Sequence, residues 1–392
     1  MLFLMFAFPN MNESFNMYTT LVEEFLDNGH EVTVLAPGKE KTGINVENGV
    51  SVLRVRTLPI KNVPNYLKGV SNVFLPYQFE RALNKFYKKK SFDLIVSPTP
   101  PITLVGLAAK LKRRHNAKFY LILRDIFPQN AVDLGFMKKN GVLHRYFRRL
   151  EQKIYKAADF IGCMSQGNID FVIQHNPEVS MQKLHELKNF QKAYKGLDSN
   201  QAILKNKYKI ESKFVVVFGG NMGKPQQLEN VLALAEAVVQ FSDIQFLFLG
   251  EGVQLIKIEL QVKERKLTNI NIQRTIPKKE YQDLLSLCDV GLISLHKDFT
   301  IPNIPSKALD YFNLGLPVLA SLDKATDFGD ILVKNSCGLW SHAGDTSDLV
   351  TKLLCFYYDS NLRLSMGRNG KNYFLNNLTP DIAFETILSQ IN

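Results

Sequence analysis

Short apolar runs recur along this chain, and most are followed within a few residues by a segment with helical spacing. Leu2–Phe8 is apolar, Met17–Asn28 carries an apolar face at helical spacing, and Glu31–Ala36 alternates as a strand does. Gly29 stands where a helix C-terminal cap is expected. The pattern returns as Phe92–Ser97, Thr103–His115 and Lys118–Leu123, then Phe160–Met164. It continues as Phe214–Phe218 with Leu228–Phe241, Ile244–Leu249 with Leu255–Lys266, and Val290–Ser294, Ser306–Leu314 and Pro317–Ser321. Strands that alternate with helices and carry few polar positions belong to parallel sheets covered on both faces. The expected class is therefore α/β.

The alternation breaks once. Residues 189–213 are rich in Lys, Gln, Asn and Ser, with little apolar periodicity, and the strand–helix pattern restarts at Phe214. At 392 residues the chain is long enough for two cores. The expected division is 1–190 as a first Rossmann-like domain, 191–212 as a linker, 213–375 as a second domain, and 376–392 as a C-terminal helix packing back on the first. Two such domains would face each other across a cleft, with ligands beyond the carboxyl ends of the strands.

Charge is unevenly spread. Residues 1–196 hold 28 Lys and Arg against 16 Asp and Glu, a net +12, whereas 197–392 sum to −1. A one-sided excess points to an acidic polymer or an anionic membrane surface. Cys163, Cys288, Cys337 and Cys355 are scattered, without CxxC spacing, so a disulfide framework or zinc site is not expected and a reducing cytosol fits. No apolar run reaches the roughly 20 residues of a membrane-spanning helix. Met1–Pro9 lacks a basic flank and a cleavage site, and Leu2–Ala7 is expected as a buried first strand.

Four segments carry candidate chemistry. Gly219-Gly220-Asn221-Met222-Gly223-Lys224 lies between a strand and a helix, where glycines let the backbone approach a ligand and free N–H groups attract an anion. It matches neither GxGxxG nor a Walker A loop. Gly250-Glu251-Gly252 ends the next strand and is expected on the same sheet edge. In Pro305-Ser306-Lys307-Ala308-Leu309-Asp310, Pro305 and Ser306 suit a helix start. A lysine in the first turn opposes the helix dipole, which is best explained by an anion in the cleft. Asp310 follows one turn later on the same face. Arg124-Asp125 ends the strand Lys118–Leu123 and places a charged pair at a carboxyl edge.

A fifth segment is basic. Between Met137 and Lys156 stand seven Lys and Arg against Glu151 alone. Leu143, Phe147, Leu150 and Ile154 form an apolar stripe expected to be core. Arg145, Arg148, Arg149, Lys153 and Lys156, with Tyr146 and Tyr155 among them, are expected on the other face, toward an anionic membrane. Lys88–Lys90 and Lys112–Arg114 would add to it. HExxH and GxSxG are absent, and the histidines show no ligand spacing.

Taken together the segments resemble a family 4 glycosyltransferase of the GT-B fold, of the branch that acts as fucosamine transferases in bacterial O-antigen and capsule synthesis. The marks are Gly29-His30-Glu31-Val32-Thr33-Val34, Ser97-Pro98-Thr99-Pro100-Pro101, Arg124-Asp125-Ile126-Phe127-Pro128-Gln129, Gly220-Asn221-Met222-Gly223-Lys224, Gly250-Glu251-Gly252, Pro305-Ser306-Lys307 and Gly315-Leu316-Pro317-Val318.

The resemblance implies a nucleotide-sugar donor, commonly UDP-linked, on the second domain and an acceptor on the first, with retention at the anomeric carbon and no metal. The acceptor it implies is a polyprenyl-diphosphate-linked sugar at the inner face of the cytoplasmic membrane. The transferred sugar would be an N-acetylated amino-deoxyhexose. Such enzymes carry two glutamates eight residues apart; here the second falls on Asp310 and the first on Pro302. Their phosphate-binding Arg and Lys fall on Asn221 and Gln226. Donor binding is therefore expected from Gly220, Asn221, Gly223, Lys224, Gln226, Gly250, Glu251, Ser306, Lys307 and Asp310. Catalytic roles are expected of Asp125, Lys307 and Asp310, and an acceptor or membrane side from Arg124, Arg145, Arg148, Arg149 and Lys153. Two other readings stay open. A nucleotide-sugar 2-epimerase shares the architecture but needs a second acid–base set in the cleft. A nucleic-acid-binding protein is suggested only by charge, without a reading motif.

Overall fold

The computed structural model describes all residues except 60–64, 195, 197–200, 212 and 392, and except the side chains of 65, 66 and 68. Part of the expected linker thus lies outside the described residues. The chain divides into two compact units, Met1–Gln191 with Pro380–Asn392, and Lys192–Thr379.

The first unit is built on an eight-stranded sheet. Its strands are β1 (Leu2–Leu4), β2 (Thr33–Gly38), β3 (Gly43–Glu47), β4 (Val50–Arg56), β5 (Leu94–Pro98), β6 (Lys118–Leu123), β7 (Phe160–Cys163) and β8 (Leu184–Glu186). Their order is β3-β4-β2-β1-β5-β6-β7-β8. All neighbours are parallel except β3 and β4, which form an antiparallel edge hairpin. That edge corrects the expectation of purely parallel pairing. Its residues Ile44 and Val46 are exposed, so the hairpin has a wet face that no continuous apolar run announces.

The second unit holds β9 (Phe214–Gly219), β10 (Ile244–Leu249), β11 (Ile270–Gln273), β12 (Val290–Ser294), β13 (Val318–Leu322) and β14 (Gly338–His342). Their order is β11-β10-β9-β12-β13-β14, parallel throughout. In β9, β12 and β13 every residue is buried, as doubly covered strands require.

Two boundaries differ from the sequence expectation. The stretch expected to be linker contains a helix, Gln201–Lys207, and Leu204, Tyr208 and Ile210 join the core of the second unit. The C-terminal helix starts at Pro380 rather than at 376; its Ala383, Phe384 and Ile387 lie in the core of the first unit, where the Phe384 ring meets Phe25 edge-on at 4.8 Å.

Candidate functional site

In the second unit β9 is the switch point: β10 lies on one side of it and β12 on the other. Doubly wound sheets leave a crevice at that place, beyond the carboxyl ends of the strands. A cavity of about 490 Å³ opens there. It gathers Gly220 and Asn221 from one loop, Gly250 and Glu251 from another, and Ser306, Lys307 and Asp310 from the start of a helix. Gly223 and Lys224 do not line it, and Gln226 reaches it only through Lys307.

Backbone bonds lace the loops together. Gly220 donates to Leu249 O at 2.8 Å, Met222 to Glu251 O at 2.7 Å, Gly250 to Gln273 O at 3.1 Å, and Gln254 to Met222 O at 3.0 Å. Gly250 is required by this packing: it has φ 145°, and a Cβ there would stand 2.0 Å from Gly220 O. The lacing also corrects the expected anion cradle. The N–H groups of Gly220 and Met222 already have partners inside the protein. Nor is the next element a regular helix, since Lys224–Gln226 is a single 3₁₀ turn and the α-helix begins at Glu229.

The helix Lys307–Leu314 supplies the charged groups. Ser306 precedes it but makes no side-chain capping bond, contrary to its expected role. Tyr311 fixes the helix to the sheet. Its buried hydroxyl accepts from Gly219 N at 3.1 Å and lies 3.2 Å from both Val217 O and Leu292 O, tying β9 to β12 at the switch point. Asn313, on the same helix, accepts from Tyr194 N at 2.9 Å and donates to Lys192 O at 2.9 Å.

One turn before Tyr311, the Lys307 stem passes Gly220, and its ammonium donates to Gln226 Oε1 at 2.6 Å. The ammonium also sits 5.0 Å from the centre of the Phe218 ring. Among the described residues no carboxylate pairs with it. Burial without a counter-charge pushes its pKa down to about 8. The site therefore holds a cation whose charge lacks an internal partner.

Sequence reasoning missed Thr275, Ile276, Lys278 and Tyr281, which close the other wall of the cavity. Burial lowers the Lys278 pKa, and the charge of Asp310 works against that. Tyr281 packs against Gly219 so closely that a Cβ there would stand 2.0 Å from its hydroxyl. Both residues lie on the helix Lys278–Leu285, whose first turn follows β11 at the same sheet edge. That topological position was the only signal available.

The first unit disposes its expected residues differently. Asp125 follows β6 at the carboxyl edge, half-buried, and desolvation raises its carboxyl pKa. Arg124 is not an open acceptor-side group. It is buried, donates to Leu187 O at 2.6 Å and Lys188 O at 3.2 Å, and covers the Phe190 ring. Arg148 is likewise structural: it pairs with buried Glu151 and donates to His175 O and Asn176 Oδ1, each at 2.8 Å. On the helix Val142–Ala157 the expected stripe is rotated. Leu143 is exposed, Tyr155 is buried, and His144, Glu151 and Ile154 face inward. Arg145, Arg149 and Lys153 remain exposed.

The comparisons with known proteins agree with this architecture. Residues 17–185 match the model of the "Glycosyl transferase 4-like domain", and residues 200–373 match "Glycosyl transferases group 1". The probable glycosyltransferase WbjE of Pseudomonas aeruginosa is 26% identical over 282 residues, which are 69% of this chain and 67% of that protein. Among solved structures, sucrose-phosphate synthase from Thermosynechococcus elongatus superimposes with a TM-score of 0.76 at 15% identity, covering 99% of this chain and 97% of the other. Anabaena HepE, solved in complex with UDP and glucose, gives 0.73 at 13% identity, covering 100% and 98%. The chain belongs to the family 4-like glycosyltransferases and has their GT-B fold of two Rossmann-like units.

Proposed function

We propose that the protein transfers a hexose, an N-acetylated amino-deoxyhexose, from a UDP-sugar to a polyprenyl-diphosphate-linked sugar in capsule or O-antigen synthesis. The observation that carries the donor half is Lys307. A half-buried ammonium with no carboxylate partner, at the switch point of a parallel sheet, is complementary to a diphosphate. Lys307, with Asn221 beside it on the cavity wall, receives the phosphates. Asp310 faces the same cavity and holds the ribose hydroxyls. The UDP bound to HepE supports UDP as the nucleotide, and WbjE supports the activity class.

In this reading the bond between the anomeric carbon and the diphosphate oxygen breaks, and the electron pair leaves with the diphosphate. Lys307 stabilises that growing negative charge without a metal. The acceptor hydroxyl oxygen forms the new bond on the same face of the sugar, with retention, and its proton passes to the departing phosphate oxygen. Asp125, with its raised pKa, orients the acceptor hydroxyl. The enzyme works as a peripheral protein at the inner face of the cytoplasmic membrane. Among the described residues no helix is long and apolar enough to cross a bilayer.

The test is transfer from a panel of UDP-sugars to a lipid-linked acceptor in EDTA, with Lys307→Ala and Asp125→Asn beside the parent. Transfer that survives EDTA and is lost in Lys307→Ala supports the reading. Full activity of Lys307→Ala refutes the role of Lys307. Conversion of a UDP-sugar without any acceptor would identify an epimerase instead.

A further inference from the structure

We propose that the outer face of the first unit, where the helices Asn65–Phe86 and Val142–Ala157 flank the helix Val105–His115, is a docking surface for an anionic lipid bilayer. The inference rests on the lipid-linked acceptor proposed above but stands on different residues. The helix Asn65–Phe86 is amphipathic in an unusual sense. Leu75, Phe79 and Leu83 point into the core, while Val70, Val73, Phe74 and Tyr77 form a second apolar stripe on the outside. Phe74 is 51% exposed and Tyr77 65%. The helix Val142–Ala157 adds Val142, Leu143 and Tyr146, with Leu143 at 63%. Val73 from one stripe and Tyr146 from the other line a common groove of about 580 Å³, so the two stripes form one surface. Soluble proteins seldom leave so many contiguous apolar side chains in water without a use for them.

Cations surround this surface. Arg113, Lys153 and Lys156 line the groove, and exposed Arg145 and Arg149 stand on the same helix as Tyr146. None of these five has an ion pair among the described residues. Their neighbours do: Lys110 pairs with Glu80, Lys112 with Asp159 and Arg148 with Glu151. Five cations without an ion pair thus border the apolar patch. Aromatic and aliphatic side chains ringed by free cations match the boundary between acyl chains and acidic headgroups. A second copy is the poorer occupant, because a two-fold interface would bring the same five cations of each copy together.

Sedimentation of the full chain with vesicles tests the assignment. Vesicles of phosphatidylglycerol and phosphatidylethanolamine should carry the protein down, vesicles of phosphatidylcholine alone should not, and salt should weaken the binding. Removing two charges with Arg113→Gln and Lys156→Gln should weaken partitioning about 25-fold, at about fivefold per charge. Val73→Ser, Phe74→Ser and Tyr77→Ser together should abolish it, and UDP affinity and melting temperature should not change in either variant. Undiminished vesicle binding by both variants would overturn the proposal. So would self-association of the parent, seen by sedimentation velocity and lost in the serine variant, which would assign the face to a second copy. Loss of UDP binding in the parent itself would instead strike the donor-site reading and leave this surface standing.

Discussion

The Lys307 ammonium donates to Gln226 Oε1 at 2.6 Å, and this neutral amide is the only side-chain acceptor it has among the described residues. A lysine so placed pays for desolvation without a Coulombic return. The arrangement makes sense when an anionic ligand completes the pair.

The pKa of about 8 gives this a pH signature. Near pH 7 Lys307 is largely charged and UDP affinity should be close to its plateau. As pH rises through 8 the free protein loses the proton that the bound diphosphate requires, so affinity should fall by up to about tenfold per pH unit. Calorimetry at pH 7 to 9.5 should also show proton uptake on binding near pH 8.5, which Lys307→Gln should abolish.

Gly250→Ala should disrupt the cavity floor. The added carbon meets Gly220 O at 2.0 Å and sits at a φ of 145°. A destabilisation of about 1–3 kcal/mol is expected from the backbone strain alone. Thermal unfolding measures it, and UDP binding should weaken in parallel because Gly220 must move.

Tyr311→Phe leaves the Gly219 N–H without its 3.1 Å acceptor inside the core. An unsatisfied buried donor costs about 1–3 kcal/mol. Denaturant unfolding should show that loss. Because Tyr311 and Lys307 share a helix, donor affinity should fall as well.

Arg148 and Arg145 sit three residues apart and should behave oppositely. Arg148→Ala strips Glu151 of its ion-pair partner, leaving it the Tyr155 hydroxyl at 3.1 Å, and removes bonds to His175 O and Asn176 Oδ1, so stability should fall by about 1–3 kcal/mol. Arg145→Ala should leave stability within about 0.5 kcal/mol, as exposed substitutions usually do. Parallel urea curves distinguish the two.

Much of the fold was legible because buried parallel strands are apolar throughout. Lys118–Leu123, Ile244–Leu249 and Val290–Ser294 form the expected strands residue for residue. The edge hairpin was not legible, since Gly43–Glu47 mixes exposed apolar and polar residues. The basic helix was misread in part: Ile154 is buried as its place in the apolar stripe requires, but Leu143 is exposed, and Tyr155 and the Arg148-paired Glu151 turn inward, which an apolar count does not register. Arg124 was misread because its partners, Leu187 O and Lys188 O, lie more than 60 residues away. In the candidate site, Lys307, Asp310 and the two glycine loops could be read from spacing. Lys278 and Tyr281 could not, because only the strand order brings their helix to that wall.

Titration of the purified full chain with UDP in EDTA, alongside Lys307→Ala, tests the central claim most directly. The account predicts saturable, EDTA-indifferent binding that Lys307→Ala weakens by about 10- to 100-fold, the worth of one charge-assisted bond. Equal affinity in the two proteins, or no binding of UDP to the parent, would contradict it.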